Sequence, residues 1–211
     1  MKSCPNNNER KFLKRKRLES KLEDAIINSY ILEGNGSKHW GVEVLFIEKK
    51  YIINPHFMYM AGLFDRNAKL CTLVRELNRT LIVDKSPLEI LNDSIRCIGF
   101  DLRGAMGTAK FLLGNKYMCP IIVNPIHRIF VFPDKSSKHN DTKWFNPVHI
   151  KRTLSSNQQA MVEFTNGITI MVPMKLYSFN HKLQTAEQFR KMILSVDNDP
   201  FSFEKDPRKG A

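Results

Sequence analysis

Five side chains in the middle of the sequence carry chemistry that a reaction can use: His127, Asp134, His139, Asp141 and His149. Imidazoles and carboxylates together ligate divalent metals, so a metal-dependent nuclease is one reading of the set. The spacing argues against it. Asp134, His139 and Asp141 fall in a polar, aperiodic stretch where such residues are ordinarily solvated, and no H-E-x-x-H or C-x-x-C pair supplies a metal-binding core. The four cysteines (Cys4, Cys71, Cys97, Cys119) stand singly and read as reduced thiols, not as a disulfide framework. A phosphate-binding P-loop, a Rossmann fingerprint and a G-x-S-x-G elbow are all missing, as are the spacings of a zinc finger, a basic zipper or an RRM. The expectation is a protein that is no enzyme and uses neither metal nor cofactor.

What the sequence has in excess is positive charge. The 211 residues carry a formal net charge of +12, which favours polyanionic partners, either nucleic acid or an anionic membrane surface. The charge is unevenly placed. Residues 1–22 hold +6 and residues 94–152 hold +7, while everything else sums to −1. Within the arm, Lys11–Arg17 reads as a solvated basic tail, as a DNA-contacting arm that neutralises phosphates, or as a membrane-surface helix with a thin apolar stripe. The central block has no Glu, and its cations are interleaved with aliphatic and aromatic residues. That pattern belongs to a charged face of a folded domain, the better candidate for binding nucleic acid. No stretch approaches the roughly 20 apolar residues of a membrane span, and the N-terminus lacks the apolar core of a secretory signal.

Elements that position these side chains follow from periodicity and punctuation. Leu18–Tyr30 has helical spacing, broken at Gly34-Asn35-Gly36-Ser37. Val42–Ile47, Tyr51–Ile53 and Leu70–Val74 read as strands, and Leu81–Val83 is short. Ser86-Pro87-Leu88-Glu89 is a capping box opening a helix that ends near Ser94. A second helix spans Arg103–Leu113 and stops at Gly114. Pro120–Val123 and Arg128–Phe132 are buried strands around an Asn124-Pro125 turn, followed by an exposed loop, Asp134–Lys143. Trp144–Thr153 is a strand interrupted at Pro147. Ala160–Phe164 and Ile168–Val172 flank Asn166-Gly167, and a three-residue loop keeps the apolar set on one face by placing Phe164 opposite Ile168 and Val162 opposite Ile170. A helix from Ser178 carries the stripe Phe179, Leu183, Ala186, Phe189 and Ile193. The fold class is α+β: a β-rich single domain of mainly antiparallel strands over residues 46–195, with flanking helices, a helical basic extension at 1–45 and a flexible tail at 196–211.

In order along the chain, several stretches resemble the ComK competence transcription factor family over Tyr51–Met192. They are Ser86-Pro87-Leu88-Glu89-Ile90 with Ser94 and Arg96, Gly107-Thr108-Ala109-Lys110-Phe111-Leu112-Leu113, Pro120-Ile121-Ile122-Val123, and Ile129-Phe130-Val131-Phe132-Pro133 with Ser136-Ser137. Trp144 with His149-Ile150, then Phe164-Thr165-Asn166-Gly167, Pro173 and Ser178-Phe179, complete the series. Three positions depart from the pattern: Lys143 stands where a Cys usually precedes the Trp, Ser94-Ile95 replaces a Ser-Cys pair, and Arg103-Gly104 inverts a Gly-Arg pair.

The resemblance implies an activator of genes for DNA uptake and transformation, cytoplasmic and nucleoid-associated, binding AT-rich promoter boxes in double-stranded DNA largely through the minor groove. It also implies a homo-oligomer on DNA, RNA polymerase as a partner, and a protease adaptor, although the family's C-terminal docking tail is not recognisable in this sequence and Phe201–Lys205 is only vaguely similar to it. A narrow A-tract minor groove concentrates negative potential and draws in Arg and Lys. The expected contacts are Arg103, Lys110, Arg128, Lys135, Lys138, Lys143, Lys151 and Arg152, with His149 as a hydrogen-bonding partner, all on one surface. Trp144 is expected in the core and not as a groove wedge. The alternative is a general nucleic-acid-binding protein, for RNA or non-specific DNA, using the same cations.

Overall fold

The structure is a computed structural model that describes residues 46–65, 67–114 and 117–196. The basic arm, the Leu18–Tyr30 helix, the Gly34–Ser37 break and the C-terminal tail lie outside the described residues. Seven strands form the main sheet: β1 (Phe46–Glu48), β2 (Phe57–Phe64), β3 (Leu70–Glu76), β4 (Thr80–Val83), β5 (Ile121–Asn124), β6 (Ile129–Pro133) and β7 (Lys143–Phe145), in the order β1-β4-β3-β2-β7-β6-β5. Helices α1 (Pro87–Arg96) and α2 (Leu102–Leu113) lie between β4 and β5 in the chain. A 3-10 turn at Pro147–His149 leads into a second sheet of β8 (Ile150–Ser156), β9 (Gln159–Phe164) and β10 (Thr169–Val172), ordered β10-β9-β8, and α3 (Leu176–Val196) follows. All pairings are antiparallel except β1 on β4. This is the α+β, β-rich arrangement expected from the sequence.

Each face of the main sheet has its own cover. Met60, Val74, Leu81, Val83, Val131 and Trp144 meet Ile90, Leu91 and Ile95 of α1 and Ala105 of α2. On the opposite face, Met58, Tyr59, Phe132 and Phe145 meet Ala160, Val162, Phe164 and Val172 of the second sheet and Phe179 and Ala186 of α3. Aromatic contacts tie this side together, with Phe145 edge-on to Phe179 at 5.3 Å and Tyr59 stacked on Phe164 at 5.3 Å. Trp144, 1% exposed, lies on the helix-covered side as a core residue.

Local chemistry sets most of the boundaries. The hairpin β9–β10 has the register expected from its apolar pattern: Val162 pairs Ile170, the Phe164 N–H donates to the Ile168 carbonyl at 2.8 Å, and Gly167 sits at φ +85°. The break at Pro147 is where the chain leaves one sheet for the other. α3 begins two residues before the expected Ser178, and α1 runs on to Arg96.

Two expectations need correction, and one strand has no counterpart among them. Tyr51–Ile53 is not a strand. Tyr51 and Ile53 are buried and Ile52 is exposed, so the alternation is real, but the Ile53 N–H donates to Ser94 Oγ at 3.0 Å in place of a ladder partner. β2, which joins the two halves of the sheet, was not legible: FMYMAGLF is buried on both faces over Phe57–Met60, so it lacks a period of two and is poor in β-branched residues. The loop 134–143 is exposed only in its middle. Asp134 and Thr142 at its ends are 5% and 1% exposed, and the Thr142 hydroxyl lies 2.7 Å from the Ser136 carbonyl.

Candidate nucleic-acid interface

The cations that converge do so on α1 and α2. α1 starts at a complete capping box, with Ser86 Oγ accepting from the Glu89 N–H at 3.3 Å and the Ser86 N–H donating to Glu89 Oε2 at 2.7 Å. Hydrogen bonds from the Ser86 hydroxyl and backbone hold the Glu89 carboxyl below its usual range. The helix buries Ile90, Leu91, Ser94 and Ile95, which turns Asn92 and Arg96 outward. Gly99, at φ +83°, lets the chain double back into α2. α2 is capped by Asp101, whose Oδ1 accepts from the Gly104 N–H at 2.7 Å, and is ended by left-handed Gly114. It buries Ala105, Ala109, Leu112 and Leu113, leaving Arg103, Gly107 and Lys110 exposed.

Between the helices runs an open groove lined by Asn92, Arg96, Asp101, Leu102, Arg103, Met106, Gly107 and Lys110. It brings three cations beside one carboxylate, and that carboxylate is engaged as a helix cap. Arg103 and Lys110 were expected contacts. Arg96 was not, although its place in the last turn of a capped helix, seven residues before Arg103, was the signal that could have found it.

The other expected contacts fall elsewhere. Lys135 and Lys138 lie in the loop after β6, whose backbone at Asn140 packs against Gly62 on the helix-covered side of β2. Lys135 Nζ is 2.5 Å from Asp141 Oδ2, a contact that holds the Asp141 carboxyl below its usual range; Lys138 is exposed. Arg128 occupies the β5–β6 turn at φ +54°, its N–H donating to the Pro125 carbonyl at 3.2 Å.

Lys151 and Arg152 lie on the second sheet. A bulge between Ile150 and Arg152 lets both reach one carboxylate, Lys151 Nζ at 3.2 Å from Glu163 Oε1 and Arg152 Nε at 2.5 Å from Glu163 Oε2. Arg152, then Lys151, hold the Glu163 carboxyl below its usual range. Lys143 reaches the Met171 carbonyl at the edge strand β10, and His149 Nε2 lies 2.8 Å from the Pro55 carbonyl. The nine expected contacts therefore do not share one surface. Arg103 and Lys110 come together, joined by Arg96; Lys135, Lys151 and Arg152 carry carboxylate partners that cancel part of their field. Among the described residues no three His, Cys, Asp or Glu gather to hold a metal, and no helix is long and apolar enough to cross a membrane.

Exposed guanidinium and ammonium groups along such a groove can neutralise phosphates and release their counterions. Comparison with known proteins gives this geometry a context. The chain is 28% identical over 125 residues to the "Competence transcription factor" of Bacillus subtilis (strain 168), an alignment covering 59% of this chain and 65% of that protein. No solved structure matches the chain. The family described as "ComK protein" matches residues 48–196, from the end of β1 to the end of α3. The chain belongs to the ComK family.

Proposed function

We propose that this chain is a transcription factor that activates competence genes by binding AT-rich duplex DNA, with the α1–α2 groove as its principal contact surface. The observation that carries the reading is the convergence of Arg96, Arg103 and Lys110 on one groove in a chain of this family. A minor groove about 6 Å wide does not admit a helix. The two-helix face therefore lies along the phosphates, and long cationic side chains reach between them into the negative potential of a narrow A-tract. Lys135 and Lys138, in the loop folded against the same side of the sheet, extend the contact. Arg128, Lys143, His149, Lys151 and Arg152 have lesser parts, because most of them are occupied within the protein. The protein acts as a homo-oligomer in the cytoplasm, associated with the nucleoid. It performs no catalysis, RNA polymerase is its partner at promoters, and a protease adaptor is a further one.

The test is a gel-shift competition at fixed moderate salt, with an AT-rich duplex against a random duplex and a single-stranded RNA. Preference for the AT-rich duplex by at least about tenfold is expected of a sequence-selective factor. Equal affinity for all three competitors would leave a general nucleic-acid-binding protein.

A further inference from the structure

A glycine inside a helix is unfavourable relative to alanine, and it persists where the backbone needs it or where something must approach closely. Five of the glycines among the described residues have a reason within the chain. Gly62 lies beneath the Asn140 carbonyl, which a Cβ would overlap. Gly99, Gly114 and Gly167 have φ of +83°, +70° and +85°. At Gly104 a Cβ would stand 3.2 Å from Oδ2 of the capping Asp101. Gly107 is the exception: it is helical, and a Cβ built there meets nothing within 4 Å. Its position gives the missing reason. Residues three and four apart share a helix face, so Arg103, Gly107 and Lys110 form one row, and all three line the cationic groove with Arg96.

We propose that Gly107 is a contact position, at which the phosphate backbone of the duplex seats directly against α2 between Arg103 and Lys110. The inference rests on the proposed DNA-binding reading and deepens it. The missing side chain brings the strand close enough for the flanking cations to embrace it, and a side chain at this point holds the strand away from both.

Three variants separate this inference from the reading beneath it, using the full chain, a fluorescently labelled AT-rich duplex and thermal unfolding of the free protein. Gly107→Ala raises the thermal midpoint by about 2–4 °C, because the methyl meets open space and favours the helix, and it weakens duplex binding about tenfold; Gly107→Leu weakens it further. Arg103→Ala/Lys110→Ala weakens binding with no gain in midpoint. If Gly107→Ala binds like the wild type while the double variant is impaired, the contact at Gly107 is overturned and the reading stands. If the double variant also binds like the wild type, the reading falls with it. A change in self-association, read by sedimentation, with unchanged duplex affinity assigns Gly107 to a protein contact and overturns the proposal.

Discussion

The carbonyl of Asn140 lies directly over Gly62, where a β-carbon would overlap it. This contact presses the loop that carries Lys135 and Lys138 onto the central strand β2, next to Leu70 of β3. At both ends the loop is clamped by the Asp134–Lys143 pairing, in which the Asp134 N–H donates to the Lys143 carbonyl at 3.0 Å and the Lys143 N–H donates to Asp134 Oδ1 at 2.9 Å.

Gly62→Ala therefore destabilises the fold. The atom in the way is backbone, held by those pairings, so it cannot swing aside as a side chain would. Overpacking of this kind costs about 1–3 kcal/mol, to be measured by urea unfolding. Unchanged stability would mean that the loop is not seated on β2.

Glu163 sets the part that Lys151 and Arg152 can play. Both are 60% exposed, yet one carboxylate holds them at once. Lys151→Ala/Arg152→Ala is expected to flatten the salt dependence of duplex binding by less than one in the slope of log K against log salt, where two freely contacting cations contribute about 1.8. Glu163→Gln, which releases both cations from a charged partner, leaves the affinity for the AT-rich duplex within about twofold on a face with only a lesser part in the contact. A large gain in affinity would place the second sheet on the DNA.

A buried carboxylate gives a pH signature. Glu76 is 4% exposed and accepts from Tyr51 Oη at 2.8 Å, Asn54 Nδ2 at 2.5 Å and Arg79 Nε at 2.5 Å. Burial pushes its carboxyl up, but the hydrogen bonds from Arg79, Asn54 and Tyr51 outweigh burial and hold it below its ordinary 4.5. The folded value is thus the lower one. Stabilisation from Glu76 is present above about pH 4.5 and is lost as pH falls through the folded value. Wild-type stability should fall between about pH 6 and pH 3 more steeply than that of Glu76→Gln. Equal slopes in chemical unfolding across that range would remove Glu76 as the cause.

How much of this the sequence announces depends on whether the cause is local. The α1 capping box, the Gly114 stop, the break at Pro147 and the three-residue loop at Gly167 are set by neighbouring residues, and each is where the residues place it. β2 pairs with its chain neighbour β3 on one side and with the distant β7 on the other, and it is buried on both faces at its start, so its pattern carries no period. The site divides in the same way. That the cations of residues 94–152 belong to a folded face was legible as charge. Which of them converge was not, because Glu163 and Arg152 are brought together by strand pairing, and Arg96 and Arg103 come to line one groove only through the turn between two helices.

The salt dependence of binding tests the cationic groove most directly. With wild type and Arg103→Ala/Lys110→Ala titrated onto the same AT-rich duplex over a range of salt, the account predicts a slope shallower by about 1.8 for the double variant and affinities that converge at high salt. Parallel lines for the two proteins would contradict it.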